Sequence, residues 1–276
     1  MVNPLASQPR VRLNNGVEMP LLGLGVYDMY GREAETAVIR ALEIGYRLID
    51  TATLYENEAE VGRAVRASGL PRQELFVTTK VANPDQGFDA TLRAFEASLQ
   101  RLKFDYIDLY LVHWPIKGKR RATWQALEKL YEEGRVRAIG VANYLQPFLE
   151  ELATYARVVP AVNQVEFSPY LYLKDLLVYC RNRGIQLQAY SPLLRGIRLK
   201  DPRLLALAAR YGKTPAQLIL RWDMEHGVSA IPKSSNPQRL LENTGLFDFQ
   251  ISADDMAFMD TFHENLRVVE DPMTML

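Results

Sequence analysis

The sequence predicts an α/β fold, a closed (β/α)8 barrel formed as a single domain over residues 1–276, and three observations carry that expectation. Short runs rich in β-branched and apolar residues recur eight times along the chain. Segments with helical period separate most of them. The strand runs are apolar almost throughout rather than alternating, as strands of a parallel sheet buried on both faces must be.

The elements follow in order. "VRLNNGVEMP" sets Asn15-Gly16 between two short alternating runs, the signature of a tight hairpin, which would cap the bottom of the barrel. The strand runs are "PLLGLG", "RLID", "LFVTTK", "YIDLYLVH", "VRAIGVAN", "AVNQVEF", "IQLQAYS" and "VSAIPKS". Within "DATLRAFEASLQRL", Leu92, Phe95, Leu99 and Leu102 are spaced by three and four, so they share one helical face. "NEAE" reads as a capping box with Asn57 as N-cap and Glu60 three residues on. Gly134 and Gly184 fall just past helix ends, where a left-handed residue commonly stops a helix. No linker or composition break divides the chain. An open doubly wound sheet is the competing arrangement. "GLGVYD", from Gly23, starts like a dinucleotide fingerprint but has no third glycine to open a helix, which favours closure.

Composition excludes several classes. Lys plus Arg (33) equals Asp plus Glu (33), so no net field draws the protein to nucleic acid or an anionic membrane. A single cysteine, Cys180, excludes an internal disulfide and a cysteine-based zinc cluster, and three dispersed histidines suit no metal site. "MVNPLASQPR" has no apolar leader core, and no run approaches the roughly 20 apolar residues of a membrane span. The expectation is a cytoplasmic protein with a small-molecule partner and no evident obligate protein partner. "KGKRR" (117–121) reads as a solvated loop opening a helix. Cys180, Trp124 and Trp222 read as core residues, and His226 and His263 as structural or solvated.

Chemistry in such barrels lies at the C-terminal strand ends. Here those ends carry Asp50, Lys80, His113, Asn143, Gln164 with Glu166, Tyr190 and Lys233. Any one could be an ordinary polar strand terminus, but eight strands bring them to one mouth. Asp50 and Lys80 belong to neighbouring strands and can pair in a low dielectric. Tyr55, five residues past Asp50, can reach the same point. A phenol of ordinary pKa, about 10, is a poor acid near neutrality, and an adjacent ammonium held by a carboxylate is expected to lower it. His113 would then hydrogen-bond the substrate oxygen. After the last strand, Lys233, Ser234 and Ser235 precede an Asn236-Pro237 helix start with Arg239 in its first turn, a barrel phosphate site with free backbone N–H groups.

These residues lie in "GYRLIDTATLYENEAEVGRAV", "VTTKV", "YLVHWP", "VNQVEF", "AYSPL" and "IPKSSNPQRLLEN", and across nearly the whole chain they resemble the successive motifs of the aldo-keto reductases. That resemblance implies a barrel oxidoreductase that reduces aldehydes and ketones with NADPH, forming NADP+, with Asp50, Tyr55, Lys80 and His113 as its catalytic tetrad. It assigns Lys233, Ser234 and Arg239 to the adenosine 2′-phosphate, and Glu242 and Asn243 to the adenine. It stacks Tyr190 on the nicotinamide, gives the carboxamide to Asn143 and Gln164, and places Gly23, Asp50, Ser191, Leu193 and Ser235 along the cofactor. Tyr27, Trp114 and His113 would line the substrate pocket, and the tail "HENLRVVEDPMTML" would fold over the mouth as a loop. Two departures from the family pattern stand out: Ala142 replaces a serine before Asn143, and Leu194-Arg195 replaces a Leu-Gly continuation. A non-catalytic NADPH-binding redox-sensor subunit of the same fold is the alternative. A glycosidase is disfavoured because His113 and Tyr190, not paired acids, end their strands.

Overall fold

The computed structural model describes Leu5 and residues 8–275. Strands β1 (Arg10–Arg12) and β2 (Glu18–Pro20) pair antiparallel. Gly16 takes φ +87°, the positive value the turn needs, and Leu13 N–H bonds the Val17 carbonyl at 2.9 Å. Leu13 and Met19 from this hairpin pack with Leu48, Phe76 and Leu109 at the lower ends of the barrel strands. The hairpin therefore plugs the bottom, as expected.

Eight parallel strands follow: β3 (Leu24–Gly25), β4 (Leu48–Asp50), β5 (Phe76–Val81), β6 (Ile107–Val112), β7 (Val136–Ala142), β8 (Val162–Glu166), β9 (Gln186–Tyr190) and β10 (Ser229–Ala230). Each pairs with its neighbour in sequence order. Closure comes from bridges between the two ends of the sheet, Leu22 with Ala230 and Gly25 with Lys233. Gly23 N–H donates to the Ala230 carbonyl at 2.9 Å across the same seam. At Gly25 a Cβ would lie 2.8 Å from the Ile231 carbonyl oxygen, so only glycine lets the seam close. The open-sheet alternative is thereby excluded.

The helices are α1 (Gly31–Ile44), α2 (Glu58–Ala67), α3 (Phe88–Leu102), α4 (Arg120–Glu132), α5 (Gln146–Ala153), α6 (Lys174–Asn182), α7 (Pro202–Tyr211), α8 (Pro215–Glu225), α9 (Pro237–Glu242) and α10 (Ala253–Asp260). They clothe the sheet. In α3, Phe95, Leu99 and Leu102 are buried and Leu92 packs partly against the same core. Burial of each such side chain contributes about 1.5–3 kcal/mol. Gly134 and Gly184 adopt φ +69° and +67° just beyond α4 and α6, as their positions predict.

Two local expectations fail. The Asn57–Glu60 capping box does not form: Asn57 Oδ1 accepts from Thr51 Oγ1 at 2.6 Å, while its Nδ2 donates to the Val26 and Met29 carbonyls. Asn57 ties the loop after β3 to the loop after β4, a stronger use of a buried amide than an exposed cap. Arg120, read as part of a solvated loop, is 8% exposed and forks onto Glu151 at 2.7 Å. Cys180, Trp124 and Trp222 are core residues as expected. His226 Nε2 meets Asp260 at 2.9 Å, and His263 Nδ1 accepts from Tyr172 N–H at 3.0 Å.

Candidate active site

Asp50 ends β4, Lys80 is the next-to-last residue of β5, and His113 follows β6, so adjacent strands deliver all three to one end of the barrel. Tyr55 arrives from the short 3-10 turn Thr53–Tyr55, which Glu56 ends at φ +55°. Lys80 Nζ donates to Asp50 Oδ1 at 2.5 Å, to the Thr51 carbonyl at 2.9 Å and to Tyr55 Oη at 3.3 Å. Three donors thus have three acceptors, which is what a fully buried ammonium requires. Asp50 Oδ2 accepts from Gln164 Nε2 at 2.7 Å, and Gln164 in turn donates to Gln188 Oε1 at 2.8 Å. The Tyr55 ring lies edge-on to His113 at 5.7 Å and to Tyr27 at 5.1 Å.

Electrostatics correct one expectation. The Tyr55 residue keeps some solvent contact, yet its hydroxyl is enclosed, and burial first, then the Asp50 charge and Tyr27, push the phenol well above its usual range. The lysine, paired with Asp50 at 2.5 Å, does not outweigh that burial. Burial likewise pulls Lys80 down and Asp50 up, and in both the attraction between them opposes burial. His113 is pulled well below its usual value, by burial and then by Lys80, so its imidazole is neutral. The site therefore holds a protonated phenol beside a neutral histidine. His113 Nδ1 is buried with no hydrogen-bond partner among the described residues.

The remaining predicted residues ring the same mouth. Asn143, buried and at φ +65°, donates from Nδ2 to the His113 carbonyl at 2.9 Å and accepts from Tyr190 Oη at 2.7 Å. The Asn143 carboxamide retains one further Nδ2 hydrogen and one further Oδ1 lone pair for another partner. Ser191, Leu194 and Arg195 all take positive φ, between 46° and 52°. Such left-handed non-glycine residues cost free energy and concentrate at functional loops. Leu194 is buried, so the departure from the family pattern anchors this loop in the core and leaves Arg195 outside, its guanidinium 5.9 Å from the Tyr27 ring. Tyr27 is exposed and Trp114 half-buried at the rim. Gly23 lies in the barrel wall, where a Cβ would collide with Leu48 at 2.0 Å. Its lack of a side chain is accounted for by that packing.

Beyond β10, Lys233, Ser235 and Arg239 are exposed, Ser234 and Asn243 buried. Lys233 and Arg239 form no ion pair among the described residues, leaving two cations available to an anion. The expected free N–H groups are partly taken: Asn236 Oδ1 accepts from Gln238 N–H at 2.9 Å and Arg239 N–H at 3.1 Å. Glu242 Oε1 accepts from Thr214 Oγ1 at 2.7 Å, which fixes its carboxylate at the end of α9. No group of three or more metal-ligating side chains occurs among the described residues. No helix there is long and apolar enough to cross a membrane.

Sequence reasoning missed three contributors. Gln188 is on the inward face of β9, two residues before Tyr190, and the two-residue strand period marks it. The Thr51 carbonyl carries no sequence signal. Glu166 was placed at a strand end without a role. Its carboxylate accepts from Val268 N–H at 2.6 Å and Val269 N–H at 3.3 Å, so it grips the tail.

The model of the Aldo/keto reductase family matches residues 22–264. A glyoxal reductase of Bacillus subtilis is 50% identical over 274 residues, covering 99% of each chain. A morphine 6-dehydrogenase of Pseudomonas putida is 46% identical over 279 residues, covering 96% of this chain and 94% of the relative. Among solved structures, a Gox0644 mutant in complex with NADPH superposes with a TM-score of 0.93 at 38% identity, over 97% of this chain and 98% of that one.

Proposed function

The chain belongs to the aldo/keto reductase family, and on that premise we propose that it reduces aldehydes and ketones to alcohols with Tyr55 as general acid. It is an NADP-dependent oxidoreductase acting on small carbonyl compounds. The observation that carries the proton-transfer reading is the Tyr55–Lys80–Asp50 chain beside a neutral His113. Of the two candidate donors at the mouth, only the phenol has a proton that a substrate oxygen can take with a charged partner ready to hold the anion left behind.

The residues fit the cofactor. Lys233 and Arg239 supply cations for the 2′-phosphate, with Ser234 and Ser235 between them in sequence. Glu242 and Asn243 stand by the adenine, and Ser191 and Leu193 border the dinucleotide. Tyr190 offers its ring face to the nicotinamide, while Asn143 and Gln164 orient the carboxamide. When bound, NADPH supplies the hydride that reaches the carbonyl carbon. The chain supplies the rest. His113 donates one hydrogen bond to the carbonyl oxygen and holds it toward Tyr55. Tyr55 Oη gives its proton to that oxygen as negative charge develops there. Lys80 stabilises the phenolate, and Asp50, fixed by Gln164, keeps Lys80 charged and aimed. The phenol rests protonated, the state from which it can give a proton to the substrate oxygen.

The test is NADPH oxidation, followed through the near-ultraviolet absorbance of the reduced nicotinamide, with glyoxal and a series of alkyl and aryl aldehydes and ketones. Turnover is expected for several. Tight NADPH binding with no turnover of any carbonyl would overturn the reading in favour of a redox-sensor subunit.

A further inference from the structure

We infer that Glu58 is a positioning residue for the proton transfer: from behind the barrel wall, its carboxylate ties the strand that carries Lys80 to the turn that carries Tyr55. The inference rests on the reductase reading above.

Glu58 is the first residue of α2 and is 1% exposed. The helix dipole favours an acid in a first turn without any need to bury it, so the burial of this one serves something else. Both carboxylate oxygens are spent. Oε1 accepts from Thr79 Oγ1 at 2.6 Å, and Oε2 takes the Arg101 guanidinium, with Nε at 2.7 Å and Nη2 at 2.6 Å. Thr79 directly precedes Lys80 on β5. Successive strand residues face opposite ways, so Thr79 reaches out to Glu58 where Lys80 reaches in to Asp50.

On its other side Glu58 holds Arg101 of α3, whose Nη2 also donates to Ser98 Oγ at 3.1 Å. That hydroxyl lies 3.3 Å from Thr53 Oγ1, and Thr53 opens the 3-10 turn that ends at Tyr55. Thr79, Glu58, Arg101, Ser98 and Thr53 therefore form one chain of contacts, from the residue beside Lys80 to the turn of Tyr55. Inside the barrel the two ends of this chain meet again, where Lys80 Nζ donates to Tyr55 Oη at 3.3 Å. That bond is the longest of the three the ammonium makes, and so the first to be lost if strand and turn drift apart. Charge acts in the same sense: burial pulls Lys80 toward its neutral form, and Asp50 and then Glu58 oppose it. A carboxamide is no substitute for Glu58, because only one of its two terminal atoms accepts.

The experiment uses Glu58→Gln, Thr79→Val and Thr79→Ser in the full chain. For Glu58→Gln, kcat with glyoxal should fall about tenfold or more, the worth of one hydrogen bond to a charged group, with the glyoxal KM and the NADPH Kd within about twofold of the parent. The alkaline limb of kcat/KM should move to lower pH by about half a unit or more, because the ammonium loses an anion that favours it. Thr79→Val removes the hydroxyl and should lower kcat about fivefold or more, and Thr79→Ser, which returns the hydroxyl, should recover most of it. A kcat within about twofold of the parent in Glu58→Gln, or an unmoved alkaline limb, would overturn the inference. Equal kcat in Thr79→Val and Thr79→Ser would overturn it too, whether or not Glu58→Gln folds. A parent that turns over no carbonyl would overturn the reductase reading and this inference with it, whereas an active parent with unaffected variants removes the inference alone.

Discussion

Replacing Asp50 with Asn removes the carboxylate from the buried pair and leaves the rest of the site in place. Lys80 is fully buried and donates to Asp50 at 2.5 Å, to the Thr51 carbonyl and, at the longer 3.3 Å, to Tyr55. Without the carboxylate, a buried ammonium keeps only neutral acceptors, and breaking such a pair costs about 3–5 kcal/mol. The lysine has one escape, which is to lose its proton. For an amine of ordinary pKa that costs about 5 kcal/mol at pH 7, and burial already lowers the figure for Lys80, so the loss cannot much exceed the same range. In a protein of 276 residues the shift corresponds to a fall in Tm of about 5–9 °C. The readouts are urea and thermal unfolding beside kcat/KM. The double variant Asp50→Asn, Lys80→Met should recover most of the stability, because no charge is left buried, yet stay inactive because nothing steadies the Tyr55 phenolate. A loss under about 1 kcal/mol for Asp50→Asn, or activity retained in the double variant, would refute the account of the pair.

Further outcomes follow from the same geometry. Arg239→Ala should weaken NADPH binding about five- to tenfold and NADH binding hardly at all, measured by fluorescence titration, because only NADPH carries the phosphate that the unpaired guanidinium meets. An unchanged preference would remove Arg239 from the 2′-phosphate site. His113 lies below its usual pKa and Tyr55 above its own, so imidazole and phenol both stay in their neutral forms over the intervening range. The kcat/KM for reduction should therefore be flat from about pH 6.5 to 9.5 and fall only on the alkaline side, as the phenol loses its proton. A limb centred near pH 7 that disappears in His113→Ala would show that the histidine titrates in the working range.

Much of this site was legible in the sequence because a barrel converts strand order into spatial order. Once "RLID", "LFVTTK" and "YIDLYLVH" are successive parallel strands, Asp50, Lys80 and His113 must meet at one end. The hairpin at Asn15-Gly16 was equally local, since its turn chemistry lies in two adjacent residues. What escaped were contacts between segments far apart in sequence whose residue types look ordinary. Asn57 has the spacing of an N-cap, but a buried amide with two carbonyls in reach binds those instead. Arg120 sits in a basic run that reads as solvated, and only the fold shows that Glu151, Pro115 and Met275 surround it. The direction of the Tyr55 shift also depended on burial, which outweighs the pull of a lysine already paired with Asp50 at 2.5 Å.

The proton donor is the centre of the account, and Tyr55→Phe tests it most directly because it deletes one oxygen and preserves the ring between Tyr27 and His113. NADPH affinity by fluorescence titration should stay within about twofold, while kcat/KM with glyoxal falls by about 10²–10⁴, the range a positioned general acid supplies. Activity within about tenfold of the parent, with NADPH still bound, would place the proton donor elsewhere.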